Sequence, residues 1–201
     1  MRAQWLRRDG GRELTLVLSG WAVGAMPFAH LAGRGDVLLL DDYRDEALPL
    51  ALIAPWRRFR LLAYSLGVGV AARIWGQIAP ERSVAVCGTP FAAHETLGIA
   101  PEIYASTQAA VTPEGMARFA RRAGCTLPPD LDFAALAQEL DLLRGRQAPD
   151  IPPFDRIHAG KRDRIFTHAA MTAGWAGRPI DWHDSGHNPF PMWRSWDEVF
   201  A

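Results

Sequence analysis

The sequence is poor in lysine, in cysteine and in long apolar runs, and each shortage removes a class of function. Lys161 is the only lysine among 22 basic residues; the others are arginines, and 22 acidic residues bring the formal net charge to zero. No global field therefore steers the chain toward nucleic acid or an anionic membrane surface. The two cysteines, Cys87 and Cys125, have no metal-type spacing and are too few for a disulfide framework, which favours a reducing compartment. Cys87 closes an apolar run and reads as a core residue. No stretch is long and apolar enough to span a bilayer, and Met1 to Gly11 lacks the apolar region of a secretory signal. The expectation is a soluble, cytoplasmic protein.

What the chain does have is enough apolar material for a core. Hydrophobic residues make up 49% of 201, which suits one domain or one domain with an insertion. Residues 3–7 and 13–18 flank Asp9-Gly10-Gly11 and read as two strands of a hairpin. Continuous apolar runs at 36–40, 59–63 and 83–87 read as strands covered on both faces. Residues 66–77 read as a helix. Between 91 and 150 the pattern becomes helical, at 102–109, 113–122 and 132–143, with no convincing strand. Strands return at 154–159 and 179–182, with helices at 166–175 and 193–200. Alternating buried strands and helices predict an α/β fold: a mostly parallel sheet with an antiparallel N-terminal edge hairpin and a helical insertion. Residues 1–90 and 151–201 would form the core and 91–150 a helical lid. Such insertions sit at the carboxyl ends of strands, where ligands bind.

The chemistry points to Ser65. The segment Ala63-Tyr-Ser-Leu-Gly67 joins a strand to a helix, the layout of a turn that holds a nucleophilic serine at a sharp bend. Small residues are needed on both sides of that serine; Gly67 meets the need, and Ala63 stands where glycine is more usual. In this type of hydrolase an acid and then a histidine follow in chain order. Asp163 lies just past the strand at 154–159, while Asp181 and Asp184 are not excluded by spacing. His187 lies in a Gly/Asn/Pro loop after the last strand, with His183 as its rival. The His-x-x-x-His spacing is not a zinc motif, because Gly186 and Pro189 oppose a helix and no Glu follows the first histidine. Backbone N–H groups of Leu66 and of Trp21, in the Ser19-Gly20-Trp21 loop, would form the oxyanion hole. No metal or organic cofactor is expected.

Leu18-Ser-Gly-Trp21, Asp41-Asp-Tyr-Arg-Asp45, Ala63-Tyr-Ser-Leu-Gly67, Gly160-Lys-Arg-Asp163 and Gly186-His-Asn-Pro-Phe190 together resemble the BioG-type esterases, which hydrolyse pimeloyl-[acyl-carrier protein] methyl ester. The chain is also similar to the BioH-type esterases in its Gly-Trp and His-x-Pro-Phe pieces. The resemblance covers nearly the whole chain. It implies an α/β-hydrolase fold with a helical lid and a Ser-Asp-His triad of Ser65, Asp163 and His187. Trp21 and Leu66 would hold the oxyanion, and Trp21 would also wall the acyl pocket. Arg44 would bind an anion or brace its loop. An acyl carrier protein is then the partner. It is acidic, and Arg118, Arg121 and Arg122 share one face of a predicted helix that could meet it. Another serine hydrolase, such as a thioesterase or short-chain carboxylesterase, and a non-catalytic binding protein on the same fold are the other readings.

Overall fold

The computed structural model describes residues 1–201 and is built on a seven-stranded sheet. The strands are β1 (Arg2–Arg7), β2 (Leu14–Leu18), β3 (Asp36–Asp41), β4 (Phe59–Tyr64), β5 (Arg82–Val86), β6 (Arg156–Gly160) and β7 (Asp181–His183). Their spatial order is β1-β3-β2-β4-β5-β6-β7. Only β1 runs antiparallel to its neighbour, so the sheet is mostly parallel with an antiparallel N-terminal edge. This is the α/β-hydrolase arrangement. No helix is long and apolar enough to cross a membrane.

The hairpin expected between residues 3–7 and 13–18 does not form. β1 pairs with β3, with Arg2 opposite Asp41 and Gln4 opposite Leu39. The reason is burial. Every residue of β2 is buried, and both its edges are taken by parallel partners, β3 and β4. The half-polar β1 passes to the outside, where Arg2 and Gln4 face solvent and blunt an open edge. The Gly10 turn is real (φ +72°), but it is tied to β3: the buried Asp36 carboxylate accepts the N–H groups of Asp9 and Gly10.

The helices are α1 (Leu50–Ile53), α2 (Leu66–Ile74), α3 (Pro101–Ala109), α4 (Pro113–Ala123), α5 (Phe133–Gly145), α6 (His168–Gly174) and α7 (Trp196–Phe200). The four-residue α1 has no counterpart in the sequence reading. Helices α3 to α5 lie between β5 and β6 in the chain, as expected of the insertion. Local signals set their ends. Thr112 caps α4 by accepting the Gly115 N–H, and Gly124 closes it in the left-handed conformation at φ +64°. Asp132 caps α5 through the Ala135 N–H at 3.0 Å.

The insertion shares the sheet's core. Tyr104, Met116, Leu140 and Leu143 belong to the same buried cluster as Leu16, Val86 and Phe200. Polar contacts add to that docking. The indole of Trp21 donates to the Leu136 carbonyl at 3.1 Å, and Arg146 donates to the carbonyls of Tyr43 and Arg44 at 2.6 and 2.9 Å. The buried Glu139 carboxylate accepts the Tyr43 N–H at 2.9 Å. Burial pushes the Glu139 carboxyl up to about 7, and the nearby Asp42 and Asp41 charges push the same way.

A raised acid pKa has a definite sign. The neutral Glu139 is favoured in the fold, so its contribution is complete below the ordinary value of 4.5 and is lost as pH rises through about 7. Glu139→Gln keeps an acceptor for Tyr43 without the charge. It is expected to gain stability over the wild type by roughly 3 kcal/mol at pH 8.5 and far less at pH 5. Thermal melts at both pH values read this directly; a difference independent of pH would rule it out.

Candidate active site

Ser65 joins β4 to α2 with φ +55° and ψ −126°, a backbone conformation that L-residues avoid. Such a turn lifts the side chain off the sheet, and close packing maintains it. A Cβ on Gly67 would run into the carbonyl oxygens of Leu18 and Ser19, so only glycine lets α2 approach the end of β2. A Cβ on Gly20 would lie 3.1 Å from Ser65 Cβ and 3.0 Å from the Tyr64 ring, which places the Ser19-Gly20-Trp21 loop directly against the serine. Ala63 is fully buried, between Leu18 and Ala85 of the flanking strands.

Three predicted residues meet at this turn. His187 Nε2 lies 2.9 Å from Ser65 Oγ, and His187 Nδ1 lies 2.8 Å from Asp163 Oδ2. All three are buried. Asp163 follows β6 and is held by its own loop: Oδ1 accepts the N–H groups of Ile165 and Phe166 at 2.7 and 3.1 Å. With Oδ1 occupied, Oδ2 is left for the imidazole, which fixes the proton on Nδ1 and leaves Nε2 as an acceptor. The His187 loop rests on β6, because a Cβ on Gly160 would collide with the Gly186 carbonyl. Tyr64 supports it from below, donating to the His187 carbonyl at 3.2 Å with its ring centroid 5.2 Å from the imidazole.

The triad as read from the sequence needs correction. Cys87, taken for an ordinary core residue, belongs to this cluster: its Sγ, an Asp163 carboxylate oxygen and a His187 ring nitrogen all lie within 4.8 Å of one another. The acid–imidazole pair is thus part of a Cys–Asp–His group, and a closed Ser-Asp-His set does not describe it. Burial pushes the Cys87 thiol well above its ordinary range, and the Asp163 charge adds to that. The thiol therefore keeps its proton at neutral pH. The miss has a clear cause: the cysteine directly follows β5, and its apolar neighbours in sequence hide what lies across the sheet. The one signal that marks it is geometric, a φ of +46° at a residue that is not glycine.

The rival residues are engaged elsewhere. His183 Nε2 lies 3.0 Å from His158 Nδ1 beside β7, and Asp181 bonds Arg156 at 2.8 Å. Asp184 pairs with Arg162 on the surface. Asp155 accepts the N–H and hydroxyl of Ser83 at 2.7 and 2.8 Å. Tyr43 and Arg44 have separate tasks. The Tyr43 hydroxyl donates to the Ser19 carbonyl at 2.7 Å and so steadies the loop that carries Trp21. Arg44 makes two 2.7 Å bonds to Asp42 and faces an outer depression with Gly20 and Asp41, away from the cavity at Ser65.

That cavity is narrow, about 30 Å³, and lies under the insertion. Trp21, Leu66, Ile99, Tyr104, Phe119 and Ile165 line it, together with Ser65 and Arg122. The backbone N–H of Trp21 donates to no protein group. Leu66 is the first residue of α2, so the helix leaves its N–H free. Of the three arginines expected to share a face of α4, Arg118 and Arg121 are exposed, whereas Arg122 turns inward and reaches Thr107 Oγ1 at 3.2 Å. Its Nε is buried with no partner.

Comparison with known proteins places the chain in a family. A family model described as pimeloyl-ACP methyl esterase BioG matches residues 1–199. The crystal structure of BioG from Haemophilus influenzae superposes with a TM-score of 0.89 at 26% identity, covering 100% of both chains. An uncharacterised protein of Haemophilus influenzae is 30% identical over 94% of this chain and 95% of its own length. A malonyl-[acyl-carrier protein] O-methyltransferase of Bacteroides fragilis is 26% identical over 82% of this chain, which spans only 36% of that protein's length.

Proposed function

Because the chain belongs to the BioG family of pimeloyl-ACP methyl esterases, we propose that it hydrolyses the methyl ester of pimeloyl-[acyl-carrier protein] methyl ester. The products are pimeloyl-[acyl-carrier protein] and methanol, a step of biotin synthesis that we place in the cytoplasm. The observation that carries this reading is the Ser65 Oγ–His187 Nε2 contact of 2.9 Å at the bottom of an apolar cavity.

In the mechanism we propose, His187 Nε2 takes the Ser65 proton as Oγ attacks the ester carbonyl. Asp163 holds the imidazole tautomer and stabilises the imidazolium. Cys87, a neutral thiol beside that carboxylate, does not attack. The N–H groups of Trp21 and Leu66 receive the tetrahedral oxyanion, each contributing about 3 kcal/mol. Protonated His187 then gives its proton to the departing methoxide, and methanol leaves. Water, deprotonated by His187, hydrolyses the acyl-enzyme and restores Ser65. Arg44 serves as a brace for its own loop. The Bacteroides fragilis relative is named for adding a methyl group to a carrier-linked acid, so its printed activity makes the kind of ester that this reaction removes.

Arg118 and Arg121, exposed on α4, the helix that brings Phe119 and Arg122 to the cavity, would meet the acidic carrier protein. The test is release of methanol from pimeloyl-carrier methyl ester by the purified protein. Reversing both charges, Arg118→Glu with Arg121→Glu, is expected to raise KM for that substrate about tenfold relative to KM for p-nitrophenyl acetate. Equal changes on the two substrates would discard the docking face, and no methanol release would discard the assignment.

A further inference from the structure

Arg122 occupies an unusual position. It is the one charged side chain among the residues lining the cavity at Ser65. Its only hydrogen bond runs from a terminal guanidinium nitrogen to Thr107 Oγ1, and Thr107 itself donates to the Ile103 carbonyl. Its Nε–H is buried without a partner, which costs free energy in an apolar surrounding unless something else supplies an acceptor. No carboxylate forms an ion pair with it. A structural arginine would have been satisfied by its own protein.

Its place along the substrate's path is as informative. Ile99, Arg122 and Ile165 line both the cavity at Ser65 and a larger groove of about 460 Å³ that opens outward between α3 and α6. These three side chains form the wall between the two spaces. An acyl chain attacked at Ser65 that runs into this groove passes that wall, and Arg122 is the only one of the three able to donate a hydrogen bond to it.

We infer that the Arg122 Nε–H binds the distal carbonyl oxygen of the acyl chain, so that the site selects diacid derivatives over simple fatty acyl esters. In the substrate proposed above, on which this inference rests, that oxygen is the thioester carbonyl at the carrier end. A chain ending in methyl offers no acceptor there and leaves the buried N–H unpaired. A charge-assisted donor that must be satisfied discriminates more sharply than apolar contact does.

The experiment compares kcat/KM for dimethyl pimelate and methyl heptanoate, which have the same number of acyl-chain carbons and differ in the distal ester. The wild type is expected to favour the diester by about tenfold to a hundredfold, beyond the factor contributed by its two equivalent ends. Arg122→Met should reduce the ratio to that statistical factor, and Arg122→Gln, which keeps a donor, should fall between. A wild type that hydrolyses both esters equally well would overturn the role of Arg122 while leaving the esterase standing, and it requires no variant to fold. A ratio unchanged in Arg122→Met would also overturn it. Failure of the wild type on both esters and on the carrier substrate would remove the inference and the proposed function together.

Discussion

Ser65→Ala is expected to lower kcat on the order of 10⁵- to 10⁶-fold, whereas Cys87→Ala should lower it by no more than about tenfold. The comparison matters because both side chains belong to nucleophile classes and both lie close to the same acid–imidazole pair. Three observations separate them. Ser65 Oγ is hydrogen-bonded to Nε2, the nitrogen left as an acceptor once Asp163 fixes the proton on Nδ1. Ser65 lines the cavity, while Cys87 is fully buried and does not. The Cys87 thiol is pushed up by burial and by Asp163, so the thiolate it would need is scarce. Turnover of a small ester and labelling by a fluorophosphonate probe measure both variants. Loss of turnover and labelling in Cys87→Ala, with both retained in Ser65→Ala, would move the nucleophile to sulfur.

The same contrast shows what the sequence could carry. Ser65, Asp163 and His187 were legible because each stands at a strand end, in a loop whose residue types are constrained by backbone geometry. Gly67 and Gly160 are glycines because any Cβ would strike a neighbouring carbonyl, and that requirement is local enough to leave a mark in the string. The sheet's buried strands were legible for a similar reason: β2 and β3 are buried along their whole length and are built around the apolar runs Leu16–Leu18 and Val37–Leu40, because both faces are covered. Cys87 was not legible, since its importance depends on which loop from another strand folds over it. Nor was the partner of β1. The Asp9-Gly10-Gly11 turn is compatible with a hairpin, and only the global demand that β2 have parallel neighbours on both edges sends β1 outward. The inward turn of Arg122 likewise depends on how α4 is rolled against α3, which helical spacing alone leaves open.

Asp163→Asn is expected to lower kcat at neutral pH by about 10⁴-fold while leaving the fold in place. The argument rests on which oxygen does what. Oδ1 accepts two backbone N–H groups, from Ile165 and Phe166, so in the asparagine variant that position must remain the carbonyl oxygen. The amide nitrogen then faces His187 Nδ1 and donates to it. The imidazole is forced into the other tautomer, with its proton on Nε2, and Nε2 donates to Ser65 Oγ where the reaction needs it to accept. The serine keeps its position and loses its base. Asp163→Ala would remove the loop's two acceptor contacts as well, so it would lower thermal stability in addition to rate. Asparagine separates the tautomer from the fold: an unchanged melting temperature with a collapsed kcat is the expected pair of results. An asparagine variant that keeps wild-type turnover would show that the tautomer of His187 is set by some other group.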